Sequence, residues 1–307
     1  TRYFLSANYF NQNGIIKRTG VERIQFRINL DNKIKDKLRI GLDMNAGNYS
    51  TDNNTVPLSP QYSLLTTVPS MAIYNEDGTY NYTYPHPNFN GRFNTPVASL
   101  YLRTSQNSRS NLVLNSFAEY SLFDWITFKT TFGGQLLSFS RSNSYTDSRL
   151  PGQTTNQQFG TASISYSDGI DYQNENTISF TRQLNNNHFV DGIVGITFQG
   201  GNGQSANASA QKFISDATMW NNLAAGDPIT RTIGSTYQNW SMVSYLARLT
   251  YKYKGRYLIT AIGREDGSSR LGAGNKWVFF PSLALGWIAS EESFIKDLNI
   301  FSLLKLR

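Results

Sequence analysis

The sequence predicts an all-β fold, an antiparallel transmembrane β-barrel to which this chain contributes about ten strands. Three observations carry that prediction. Segment after segment alternates apolar with polar residues at a period of two, the pattern of a strand with one apolar and one polar face. The connections alternate between tight turns and much longer stretches, as in a barrel with short turns at one end and long loops at the other. No apolar run approaches the roughly 18 residues of a membrane-spanning helix, whereas a barrel strand needs only every second residue to be apolar.

Tyr3 to Phe10 reads as the first strand, returned by the loop NQNGIIKRTG. In the second, Ile24, Phe26, Ile28 and Leu30 alternate with Arg23, Gln25, Arg27 and Asn29. A polar turn at Asp31 to Lys37 leads to the third, where Leu38, Ile40, Leu42 and Met44 oppose Arg39, Gly41, Asp43 and Asn45, so the two form a hairpin with one apolar and one polar wall. A long connection from about Thr51 to Ser108 follows, with a helical turn expected at Gln61 to Thr67 and a tyrosine-rich run, Tyr74, Tyr80, Tyr82 and Tyr84. Connections of that length usually carry function or disorder.

Strand four, Asn111 to Leu122, turns at Phe123, Asp124 and Trp125 into strand five, Ile126 to Gly133. A loop is expected at about Ser142 to Asp168, then strand six, with Asp171, Gln173, Glu175, Thr177 and Ser179 as its polar wall. The Asn185 to Asn187 turn joins it to strand seven, Val190 to Phe198. A second long loop, Gly200 to Gln238, precedes strand eight, whose Val243, Tyr245, Ala247, Leu249 and Tyr251 oppose Ser244, Arg248 and Lys252. Lys254 and Gly255 turn into strand nine, Arg256 to Glu265. Strand ten places Trp277, Phe279, Leu283, Leu285 and Trp287 on one face and Ser282, Ala284 and Gly286 on the other, with the aromatics at its ends as in a bilayer-crossing strand. Glu291 to Asp297 reads as a helical turn, and FSLLKLR begins an eleventh strand.

Composition narrows the chemistry. Charged residues make up 16% and aromatics 14%, which suits a sheet protein with polar loops. Without cysteine there are no disulfides or thiolate metal sites, and the two histidines, His86 and His188, lack ligand-spaced partners, so no metal or other cofactor is expected. The net charge of +7 comes from scattered lysines and arginines, which argues against nucleic acid. GGNGQSA at Gly200 to Ala206 matches G-x-G-x-x-A, but it follows a strand of an antiparallel meander and reads as a flexible loop rather than a dinucleotide site. G-x-S-x-G and H-E-x-x-H are absent, and His86 with Asp77 is the one acid-base pair to weigh, loop solvation being the simpler account. Arg23, Arg27, Arg39, Asp43, Glu119, Lys129, Asp171, Glu175 and Arg248 are costly against lipid and are expected to line a lumen. Tyr80, Tyr82, Tyr84 and Trp220 are candidate contacts for a solute or a lid, as flat apolar faces among polar groups.

The stretch from Gly263 to Glu291, with Asp266, Gly267, Ser268, Ser269, Arg270, then Trp277, Pro281, Gly286 and Trp287, and SEE at Ser290 to Glu292, closely resembles the barrel motif of the SusC/RagA-type TonB-dependent outer-membrane transporters of Bacteroidetes. That pattern reads roughly R-x-DGSSRFG, W-x-x-FPS, GW and SEE; Leu271 stands where Phe is usual. SANYFNQNGIIKRTGVER resembles the family's early barrel strands. The resemblance implies a barrel of about 22 strands around a plug. Residues 1–307 would then be part of that barrel, with the plug and the remaining strands outside this chain. It also implies TonB-dependent uptake of an oligosaccharide or peptide, in contact with outer-membrane lipids, a SusD-like surface lipoprotein as lid and TonB acting through the plug, and no enzymatic activity. The alternatives are a complete small outer-membrane barrel acting as a hydrolase or passive porin, and a soluble β-sandwich. In DGSSRLGAGN the glycines serve a hairpin loop, and Asp266 and Arg270 are expected to pair locally or to touch a neighbouring loop or plug.

Overall fold

The computed structural model describes residues 1–53, 71–81, 95–149 and 160–307. Among the described residues eleven strands form one antiparallel meander, each bonded to the next in the chain. They are β1 (Arg2–Asn13), β2 (Thr19–Ile34), β3 (Leu38–Asn53), β4 (Arg103–Phe123), β5 (Ile126–Thr146), β6 (Thr161–Asn185), β7 (His188–Gln211), β8 (Thr232–Tyr253), β9 (Tyr257–Ser268), β10 (Trp277–Ile288) and β11 (Lys305–Leu306). Among the described residues no helix is long and apolar enough to cross a membrane, which says nothing of a β-barrel.

Register follows the alternation. Leu30, Ile28 and Phe26 of β2 face Leu42, Met44 and Ala46 of β3, so apolar residues share one face; Asn29 and Arg27 face Asp43 and Asn45 on the other. The same phase passes from strand to strand, since a one-residue slip would turn every side chain to the wrong side. A β-bulge interrupts it in β5: Gln135 pairs with Val113 and Asp171, but Leu137 is the partner of Leu112 and Ser138 of Gly169, leaving Leu136 as the extra residue. Next to it Gly134 has φ +150°, where a Cβ would overlap the Asp171 carbonyl, so glycine is required by both backbone and space.

The strands run well past their expected ends. Of the expected loop Ser142–Asp168, β5 takes the residues to Thr146 and β6 those from Thr161. Of Gly200–Gln238, β7 takes those to Gln211 and β8 those from Thr232, so GGNGQSA is strand, not a loop. The 25 residues of β6 exceed the about 9–11 that cross a bilayer. The surplus extends beyond the hydrocarbon band, where no lipid imposes a large apolar residue at every second position, and its sequence therefore reads as loop.

The connections carry short helices. Pro96–Tyr101 is a helix with Pro96 at its start and the Thr95 side chain accepting from Ala98 N, a capped start within the expected long loop. Residues 216–230 form three 3-10 turns. The expected helical turn near Glu291 is a 3-10 turn, Ala289–Glu291, followed by the helix Ser293–Lys296. Buried apolar side chains gather in two small clusters where strand ends meet the connections: Tyr145, Ala162, Ala210 and Phe213, covered by Trp220, Leu223 and Ala225; and Ala98 with Leu102, covered by Tyr80. The expected turn at Gln61 to Thr67 lies outside the described residues.

Candidate functional site: the polar face and its cavity

Every charged residue expected on a lumen wall falls on one face of the sheet. Arg39, Glu119 and Lys129 stand opposite one another on β3, β4 and β5, a plus-minus-plus row. Two rows over, Asn29, Asp43, Asn115, Gly133, Gln173 and Gln199 make a rail, polar but for the glycine, across six strands. Along it Asn29 Nδ2 donates to Asp43 Oδ2 at 2.6 Å and Gln199 Nε2 to Gln173 Oε1 at 2.7 Å, while Arg27 lies 3.6 Å from Asp43. Asp171 and Glu175 flank the rail on β6, opposite Gly201 and Thr197. Arg23 donates to Asn8 at 3.3 Å over the Phe10 ring, and Arg248 lies 3.5 Å from Asp191.

Between the rows sits Phe117, with Arg39 Cζ and Lys129 Nζ each 5.3 Å from its ring centre. Gly41 opposite it has no side chain, and a Cβ there would overlap the ring. Arg39 in turn donates to both carboxylate oxygens of Asp31, at 3.0 and 2.6 Å. The face encloses a cavity of about 870 Å³ reaching from Arg2 and Phe4 on β1 to Trp240 on β8, with Asp43, Phe117, Asp171 and Gln199 among its lining. That one cavity touches strands so far apart shows that the polar face is concave. Amides, carboxylates and aromatic residues around it suit a polar solute with apolar patches.

Trp240 escaped the sequence reading because it stood between the expected loop Gly200–Gln238 and the alternating run that begins at Val243, yet it keeps the parity of Ser244 and Arg248 along β8. Arg270 lies over it, Cζ 4.4 Å from the ring centre. Asp266 therefore does not pair with Arg270. Its partner is Arg264, whose Nε lies 2.8 Å from the carboxylate. The rest of the motif builds the joint: Ser269 N donates to the Ser241 carbonyl and Ser241 N to Ser269 Oγ, both at 2.9 Å, and Arg270 N donates to Ser268 Oγ. Gly267 leaves room for the Trp277 ring, and Pro281 and Gly286 pair with Gly263 and Leu258. Trp287 Nε1, Tyr257 Oη and Arg256 Nη1 all donate to Glu292, the last residue of SEE, at 3.2, 2.6 and 2.8 Å.

Of the loop aromatics, Tyr80 is half-buried on Ala98 and Leu102 with Tyr74 5.2 Å away, and Trp220 covers the Tyr145 cluster. Tyr82, Tyr84 and His86 lie outside the described residues. Asp77 is held below the ordinary carboxylate range by hydrogen bonds from the Thr79 hydroxyl and N–H, so its described partner is a turn residue. The loop base is fastened by Asp216, which accepts from Tyr145 Oη and from Ser148 N and Oγ, the latter two at 3.0 and 2.7 Å. Among the described residues no group of three or more acidic, histidine or cysteine side chains is placed to hold a metal ion.

An antiparallel meander with an apolar convex face, a polar concave face and connections of unequal length at its two ends is the wall of an outer-membrane β-barrel of the TonB-dependent receptor class. Within that class the chain belongs to the SusC/RagA type. No family model matches it. It is 34% identical over 309 residues to a protein named TonB-dependent receptor from Formosa agariphila, covering 99% of this chain and 30% of the relative. It is 55% identical over 67 residues to the TonB-dependent receptor SusC of Bacteroides thetaiotaomicron, covering 22% of this chain and 7% of that protein. Among solved structures, the RagAB peptide transporter matches with a TM-score of 0.76 at 20% identity, covering 99% of this chain and 34% of that one. The RagAB importer in its open-open state matches with 0.78 at 19%, with the same coverage, and at such identities the likeness is one of fold. The chain thus spans less than a third of the Formosa relative's length.

Proposed function

We propose that this segment forms barrel wall and long loops of a receptor that takes up an oligosaccharide or peptide across the outer membrane by TonB-dependent transport, and that it is not itself an enzyme. The observation that carries this reading is the concave polar face, whose rail of amides and the Asp43 carboxylate continues across six strands around one cavity. In this proposal the nine charged residues line the lumen and contact a plug supplied by another part of the protein. A SusD-like lipoprotein lids the long-loop end, where Tyr80 and Trp220 brace the connections and Tyr82 and Tyr84 are further candidates for stacking on the solute. RagAB is named a peptide transporter, which supports a peptide as one of the two solute classes.

The test is uptake of labelled oligosaccharides and peptides by cells carrying the intact protein, with and without TonB. Accumulation lost on TonB removal supports the reading. Accumulation that persists makes the protein a passive porin, and hydrolysis of the solute without accumulation makes it an enzyme. Binding that survives alanine substitution of Tyr80 and Trp220 removes them as solute contacts.

A further inference from the structure

The tight-turn end of the sheet carries a pattern that uptake does not use. On the apolar face His188, Tyr253, Tyr257 and Trp287 stand opposite one another on β7 to β10, an unbroken row of rings. His188 and Tyr253 have ring centres 5.1 Å apart, Tyr253 and Tyr257 6.2 Å. At the β4–β5 turn Phe123 stacks on Trp125 at 5.9 Å and 18°. Rings alone would be an interfacial belt. Here cations lie upon them: Arg182 Cζ is 4.9 Å from the Trp125 ring centre and Lys254 Nζ 5.4 Å from that of Tyr253.

Both cations are exposed, and among the described residues neither forms a salt bridge with a carboxylate. Arg248 and Arg264 on the polar face contrast with them, each lying beside an aspartate. Lys35 and Lys37 in the β2–β3 turn extend the positive charge along the same rim. A guanidinium lying on a ring keeps its N–H edge free, and that edge matches a phosphate. A zwitterionic headgroup would bring a cation of its own to the same place, so charge complementarity selects a headgroup with net negative charge.

We propose that Arg182 on Trp125 and Lys254 on Tyr253 each hold the phosphate of an anionic glycerophospholipid in the leaflet at the tight-turn end. The inference rests on reading the apolar face as the lipid-facing one. The experiment reconstitutes the intact receptor in vesicles of equal parts phosphatidylglycerol and phosphatidylcholine with matched chains, and counts the lipids retained on release by native mass spectrometry. The wild type retains phosphatidylglycerol preferentially. An Arg182→Gln, Lys254→Gln variant loses that preference by roughly fivefold for each charge removed, whereas Arg182→Lys keeps it. Folding of each variant is checked by resistance of the barrel to detergent unfolding.

Equal preference in wild type and double variant overturns the proposal, as does equal retention of the two lipids by the wild type. Competition by glycerol phosphate without acyl chains would show recognition of free phosphate and overturn the lipid assignment. Failure of the protein to enter vesicles at all would sink the barrel reading itself, which separates the two failures.

Discussion

Arg264 and Asp266 sit two residues apart on β9, and the Arg264 side chain ties its own strand to the next: Nε donates to both Asp266 oxygens at 2.8 and 3.1 Å and Nη2 to Ser244 Oγ on β8 at 3.1 Å. Ser244 is 1% exposed, so its hydroxyl has little water to fall back on. Arg264→Ala is expected to destabilise the barrel by about 1–3 kcal/mol, because it leaves a carboxylate and a buried hydroxyl unpaired. Arg264→Lys should recover only part, since an ammonium lacks the fork that reaches both partners. The midpoint of urea unfolding in detergent measures both.

Gly41 and Phe117 depend on each other. Gly41→Ala should push the Phe117 ring from between Arg39 and Lys129 at a cost of about 1–3 kcal/mol. The Gly41→Ala, Phe117→Ala pair should cost less than the sum of its single changes. Additive costs would mean that the ring moves aside freely.

The two faces of β10 should answer differently to charge. Leu283, on the apolar face, is 69% exposed in this chain and should meet lipid; Leu283→Arg is expected to cost about 2–4 kcal/mol near the bilayer midplane. Ser282→Arg, one residue away on the other face, should cost well under half as much. Equal effects on folded yield in the outer membrane would refute the assignment of faces.

At the loop base, burial pushes the Asp216 carboxyl up, but hydrogen bonds from Tyr145 and Ser148 outweigh it and hold the group below its ordinary value of 3.8. A folded value below the unfolded one means that the stabilisation is fully present above about pH 4 and is lost as pH falls through the depressed value. Proteolytic cleavage within residues 212–231 should therefore rise on acidification below that point. Asp216→Asn should cleave readily at every pH.

What was legible in the sequence was whatever the bilayer dictates. Ile24 to Leu30 and Leu38 to Met44 alternate because one side of each strand is apolar, and the structure pairs them in the phase the sequence predicts. Where the strands continue beyond that band, lipid no longer demands large apolar residues on one face, and segments such as Ser138 to Ser144 and Gly200 to Ala210 carry no alternation of large apolar with polar residues. Trp240 was lost for the same reason. The helix at Pro96 was readable in principle, since a threonine before a proline is a capped start, but its neighbours were read only as a proline-bearing loop. The Asp266–Arg264 pairing was hidden because residues two apart on a strand point the same way, a proximity that a reading centred on the hairpin loop passes over.

The bulge in β5 bears on how chains of this family can differ in length. Where the ladder is regular, losing one residue would turn the wall inside out, presenting its carboxylates to hydrocarbon. At Leu136 it would not: its removal leaves Gln135 and Leu137 as consecutive partners of Val113 and Leu112, and every other side chain stays on its own side. This site is an expansion joint at which evolution can add or delete a single codon without inverting the barrel.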